Sequence, residues 1–222
     1  FPGRTKRPAP DRCYVQNYRD PQRPRLLELP AGEGARLKRC VERLLRKIHR
    51  ALDRKPDKTW RRRAREVLGR SFPRLLASFR HPEARKWLQE WRRNLLANVH
   101  HALVEDYEVN LLAQGRRAGA PVVVERVPTP ANLLGWIGRR ALGDQAPAPH
   151  FSEIRAGSIL AADGGVLILS AADFYATPAS WSMLKACLKY GLLQIEEGDG
   201  QGSNRSGNLK PDPIQVDVKV LL

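Results

Sequence analysis

The sequence predicts an α/β fold, a sheet core joined to an α-helical insertion, and three observations predict it. From 36 to 105 apolar residues recur at helical spacing, beginning with Leu37, Cys40, Val41, Leu44 and Leu45 and ending with Trp87, Leu88, Trp91 and Leu95. On either side the period becomes that of extended chain, with Cys13-Tyr14-Val15 before the helices and Val122-Val123-Val124 and Val166 to Leu169 after them. Charge divides the chain in the same place. Residues 36 to 93 hold 21 Lys or Arg against 6 Asp or Glu, nearly the whole of the net +16. The division that follows is 1–35 and 106–222 for the core, with 36–105 as a basic helical insertion.

In chain order, Cys13 to Val15 reads as a strand, Arg19 to Arg25 as a turn and Leu26 to Leu29 as a second strand. Pro30-Ala31-Gly32-Glu33-Gly34 breaks the pattern, and a helix runs from about Ala35 to Leu52. A second helix is expected from Thr59, its N-cap, to about Phe79, interrupted near Pro73; a third follows Pro82. Tyr107, Val109 and Leu111 alternate as a strand, and Pro121 to Glu125 is expected to be a buried strand. After a short helix start at Asn132 to Gly135, the Gly, Pro and Ala-rich run from Gly138 to Pro149 reads as a long exposed loop. A helix, the Gly164-Gly165 turn and the Val166 to Leu169 strand come next. Ser180 to Leu188 then forms a helix ending near Gly191, and Leu192 to Glu196 a strand. Gly198 to Gly207 is a glycine-rich loop, and Ile214 to Leu222 is expected to be a single central strand that ends a fragment.

Composition excludes several classes. A 42% hydrophobic content suffices for a core, no run nears the roughly 20 apolar residues that cross a bilayer, and no signal peptide is expected. A cytoplasmic location without membrane partners is the expectation. Cys13, Cys40 and Cys187 match neither a disulfide framework nor a zinc set, and the five histidines lack ligand spacing, so no metal and no cofactor is expected. Ser182-Met183-Leu184-Lys185 has the Ser-x-x-Lys spacing of penicillin-recognising enzymes, but the Ser-Asp-Asn and Lys-Thr-Gly partners that chemistry needs are absent.

Four blocks carry a family resemblance: Cys13 to Pro21 with Arg23-Pro24-Arg25 and Leu29 to Gly32; Tyr107 to Leu112 with Gly119 to Glu125; Pro128 to Gly135; and Ile154 to Asp173, continued by Trp181 to Glu196 and Pro211 to Leu222. They resemble the ATPase-like region of Lon-type proteases, in particular the ATP-independent C-type branch. The resemblance implies an AAA+-like parallel-sheet core of the P-loop NTPase type, a hexameric ring, unfolded protein substrates, and a Ser-Lys protease domain that this chain does not carry. At the Walker B position, where an Asp holds the magnesium of bound nucleotide, this sequence has Ser170. Asp173, three residues on, reads better as a charge at a helix start. Gly3-Arg4-Thr5 superficially matches the end of a phosphate loop, but Pro8 and Pro10 leave no room for the helix such a loop opens.

No intact nucleotide site and no catalytic residue is therefore expected in this chain. The resemblance places the loop after the short helix and the hairpin before the last strand at a central channel, making Trp136, Ile137 and Phe151 candidates to grip apolar side chains of a threaded polypeptide. Core packing is the other reading of these three. Two further functions remain open: nucleic-acid binding through the basic segment with Trp60, Trp87 and Trp91, and a purely structural assembly role.

Overall fold

Alternate side chains of one short strand enter two different hydrophobic cores, and that alternation organises the molecule. The strand is β1 (Asp11–Val15), all five of whose residues are buried in the computed structural model, which describes residues 9–52, 59–98, 104–115, 119–141, 146–197 and 209–222. Cys13 and Val15 belong to the first core and Tyr14 to the second. β1 pairs antiparallel with β2 (Arg25–Leu29) on one side and β3 (Val109–Ala113) on the other.

Three helices cover the first face of this sheet: α1 (Glu33–Leu52), α2 (Trp60–Ala77) and α3 (Pro82–Asn98). Their stripes supply Leu37, Val41, Ile48, Leu68, Phe72, Trp87 and Trp91 to the first core, as the helical spacing predicts. Helix α1 begins inside the expected Gly32-Glu33-Gly34 break. The buried Asp11 carboxylate explains this, because it accepts the N–H groups of Gly32 at 3.0 Å and Ala35 at 3.1 Å and so caps α1 from a neighbouring strand. A Cβ at Gly34 would lie 2.7 Å from both Asp11 Cβ and Cys13 Sγ, so the glycine serves close approach. Helix α2 passes through Pro73 without interruption. Thr59 occupies its N-cap position in helical conformation, and its side chain makes no capping bond. Tyr107 closes a 3-10 turn (Val104–Tyr107) before β3, which starts two residues later than the alternation suggested. Its carbonyl accepts the indole N–H of Trp91 at 3.0 Å.

The second core is built from β4 (Val122–Glu125), α4 (Pro130–Leu134), β5 (Gly135–Arg140), β6 (Ala148–Ala156), α5 (Ser158–Ala161), β7 (Val166–Leu169), α6 (Ala171–Tyr175), α7 (Pro178–Tyr190), β8 (Leu192–Leu193), β9 (Ile214–Gln215) and β10 (Lys219–Leu221). β10, β7 and β4 form a parallel sheet with β7 at the centre. In register, Val123, Leu167 and Val220 face the core, whereas Val122 and Val124 are 65% and 62% exposed. The expected buried strand is thus an edge strand with one open face. Its β-branched run reports extended backbone, and burial depends on neighbours the run does not encode.

Two further expectations change. Gly138 to Pro149 is not one loop, since β5 and β6 pair antiparallel as a hairpin that takes in Gly138 to Arg140 and Ala148 to Pro149. The final stretch is not one central strand either: β9 pairs with β8, Asp217 meets the glycine turn before β7, and β10 lies on the edge of the parallel sheet. Among the described residues, no helix is long and apolar enough to cross a membrane.

Candidate functional site

Ser170 ends β7 and starts α6, where its exposed hydroxyl accepts the N–H of Asp173 at a long 3.5 Å. Asp173 lies in the first turn of α6, where a negative charge meets the positive end of the helix dipole. Beside β7, Glu125 is in register with Leu169, and its Oε1 accepts the N–H of Val127 at 2.9 Å. Gly3-Arg4-Thr5 lies outside the described residues.

The channel candidates separate sharply. Ile137 and Phe151 are 5% and 1% exposed and belong to the second core, so in this conformation they are packing residues. Trp136 is 46% exposed, pairs with Arg155 across the hairpin, and lies over Gly138, where a Cβ would come within 2.9 Å of its ring. The hairpin is tied to the rest of the molecule by groups that single-sequence reading did not flag. Asn110, on β3, donates to the carbonyls of Phe151 at 2.8 Å and Ile154 at 2.9 Å, and Arg140 reaches Glu108 and Ser152, each at 3.0 Å. His150 Nδ1 meets Ser152 Oγ at 2.8 Å, with Asp106 at 3.6 Å from Nε2. Trp136 therefore stands on an anchored base.

A cleft of about 600 Å³ opens at the other end of the parallel sheet, beside Gly164, Tyr190 and Asp217. Open α/β sheets bind ligands beyond the carboxyl ends of their strands, and this cleft lies at the amino ends of β7 and β10. Its floor is Arg12, whose guanidinium is fully engaged with Asp163 at 2.5 Å, Glu28 at 3.0 Å and the Gln215 carbonyl at 2.8 Å. Asp163 in turn accepts the N–H of Asp217 at 2.7 Å, so this ion pair joins β1, the glycine turn and the β9 to β10 link.

Ser182 and Lys185 do not form a pair. The Ser182 hydroxyl donates to the Pro178 carbonyl at 3.4 Å, while the Lys185 ammonium lies 5.0 Å from the Trp181 ring centroid. Trp87 and Trp91, offered as base-stacking groups, are 1% and 0% exposed.

Two family models match this chain. Residues 118–222, from just before β4 to the end of β10, match the LonB-like AAA domain, and residues 11–44, from β1 into α1, match the LonC helical domain. The chain resembles the AAA+-like region of Lon-like proteases. The search of curated proteins finds no match. In the Lon-like frame, Ser170, the β5–β6 hairpin and the parallel sheet all fall within the AAA match, whereas β1 and β2 fall within the helical-domain match. Residues 45–117, which include α2 and α3, lie outside both.

Proposed function

We propose that this chain is the non-hydrolysing, ATPase-like part of a Lon-like serine protease. It assembles as a homo-oligomeric ring, hexameric on the resemblance, and admits unfolded polypeptide to a protease chamber without ATP. The catalytic Ser-Lys pair belongs to an associated C-terminal protease domain, and the location is cytoplasmic. The observation that carries this reading is Ser170. A neutral hydroxyl engaged as a helix cap cannot supply the charge that holds magnesium against the β- and γ-phosphates, and the adjacent Glu125 is turned onto its own loop. These residues do not fit a magnesium–nucleotide group. Trp136, exposed on an anchored hairpin, supports contact with threaded chains, because an indole offers large area with little geometric demand.

Calorimetric titration with Mg-ATP tests it, with no micromolar binding expected. Micromolar binding, or casein degradation by the protein with its protease domain only when ATP is present, would overturn the reading. Nucleic-acid binding is favoured by the basic charge, while burial of Trp87 and Trp91 leaves only the half-buried Trp60 of the three proposed stacking groups. Phosphate-driven binding would show a log-log salt slope of about −0.9 per phosphate contacted.

A further inference from the structure

Helices α1 and α2 run antiparallel, with Arg36 near the start of α1 donating to the Ser78 carbonyl just past the end of α2. Between them lies a groove of about 220 Å³ whose walls are positions 40, 43, 44 and 47 of α1 and 71, 74, 75 and 78 along α2. Both sets have the i, i+3, i+4, i+7 spacing of a single helix face. The floor is apolar, from Leu44 and Leu75, and the rim is cationic, from the exposed side chains of Arg43, Lys47 and Arg74.

Those three cations have no ion pair or side-chain hydrogen bond among the described residues, although α2 does pair other charges, as Arg62 does with Glu66. Three unneutralised like charges around one groove repel each other, and an incoming anion relieves that repulsion. The apolar floor adds a second requirement that a bare phosphate does not meet.

We propose that this groove binds acidic segments of unfolded polypeptide, in which an apolar side chain fills the space over Leu44 and Leu75 while flanking carboxylates meet Arg43, Lys47 and Arg74. The proposal rests on the reading above that unfolded polypeptide is the substrate, and it adds the class of sequence that is captured first. Its volume suits one side chain rather than a folded partner, and its chemistry is that of an amphipathic acidic peptide laid along a helical groove. A duplex is disfavoured, because the floor would then desolvate without gain.

The chain carries its own reporter. Cys40 lines the groove and is half-buried, whereas Cys13 and Cys187 are buried, with burial pushing the Cys13 thiol up to about 12 and the Cys187 thiol upward as well. Cys40 is therefore the thiol that should alkylate first.

The test is fluorescence anisotropy of the chain with labelled peptides of about 12 residues, one carrying Glu on both sides of Leu, one with every Glu replaced by Gln, and one with Leu replaced by Ser. The acidic, Leu-containing peptide should bind more than about 10-fold tighter than either control, weaken between about 50 and 300 mM salt, and slow Cys40 alkylation. The Arg43→Glu/Arg74→Glu variant should lose that binding, while Arg65→Glu, exposed on the opposite face of α2, should retain it. Equal binding of the Gln peptide, equal loss in Arg65→Glu, unprotected Cys40 on saturation, or displacement of the peptide by duplex DNA at lower concentration would each overturn the assignment. Mg-ATP binding leaves every one of these readouts unaltered, so the two readings fail separately.

Discussion

Asp11 shows how a single side chain holds distant parts of the chain. Its carboxylate accepts three backbone N–H groups, from Gly32 and Ala35 at the start of α1 and from Gly115 after β3 at 2.7 Å. All three donors need the charge or at least an acceptor, and a buried donor left without one costs free energy. We expect Asp11→Ala to lower stability by about 3 kcal/mol, read as a lower urea midpoint with little change in slope. An unchanged midpoint would mean that water replaces the carboxylate. Nothing in the sequence marked Asp11, because its partners are 21, 24 and 104 residues away and a lone acid in a strand has no local pattern. Ser170 was legible for the opposite reason: the glycine turn and four apolar residues before it fix its place at a strand end. The same local reasoning could not separate Trp136 from Ile137 and Phe151, because which face of a hairpin meets the core is decided by β3 and its Asn110.

At the scale of elements, α2 shows packing overriding propensity. Pro73 removes one helical N–H and crowds the carbonyl four residues earlier, which belongs to Gly69, a position whose Cβ would meet nothing within 4 Å. The helix continues because Ala64, Leu68 and Phe72 are buried along one stripe against its neighbours, and that apolar gain offsets the local cost. Helix periodicity was thus enough to place α1, α2 and α3, while the Pro73 rule pointed to an interruption that tertiary contact prevents. Strands were less legible, since β4 carries Val122 and Val124 on an open face and the last segment is shared between two sheets. Because Gly69 and Pro73 face away from the core, each replacement by Ala should stabilise the chain, by about 1 kcal/mol for Gly69→Ala and about 2 kcal/mol for Pro73→Ala. Thermal denaturation reads this directly. A lower melting temperature in Pro73→Ala would show that the proline ring itself is needed for the fit of α2 on α1.

Across the whole molecule the two cores share the β2-β1-β3 sheet, and the groups most strongly perturbed by burial cluster there. Burial pushes the Cys13 thiol up to about 12, with the Asp11 charge adding to it, and pushes the Tyr107 hydroxyl up to about 12, with Asp106 adding to that. Tyr14 and Tyr18 are raised too, first by burial and then by Asp212 for Tyr14 and by Tyr107 for Tyr18. All four are acids whose neutral form the fold prefers, so their contribution to stability is complete below the ordinary values near 9 and 10 and falls as pH rises above them, that of Cys13 and Tyr107 being lost through about 12. Cys13 and Tyr107 lie in the first core and Tyr14 in the second, and Tyr14 donates its hydroxyl hydrogen to the Asp212 carbonyl. Ionisation therefore strikes the shared sheet, and neither core can keep its layer when β1 leaves. We expect a single alkaline transition beginning at about pH 9 in which tryptophan emission, with Trp87 and Trp91 reporting on the first core and Trp181 on the second, changes together with far-ultraviolet circular dichroism. Two separated transitions would show that the cores fold independently and that β1 belongs to only one of them.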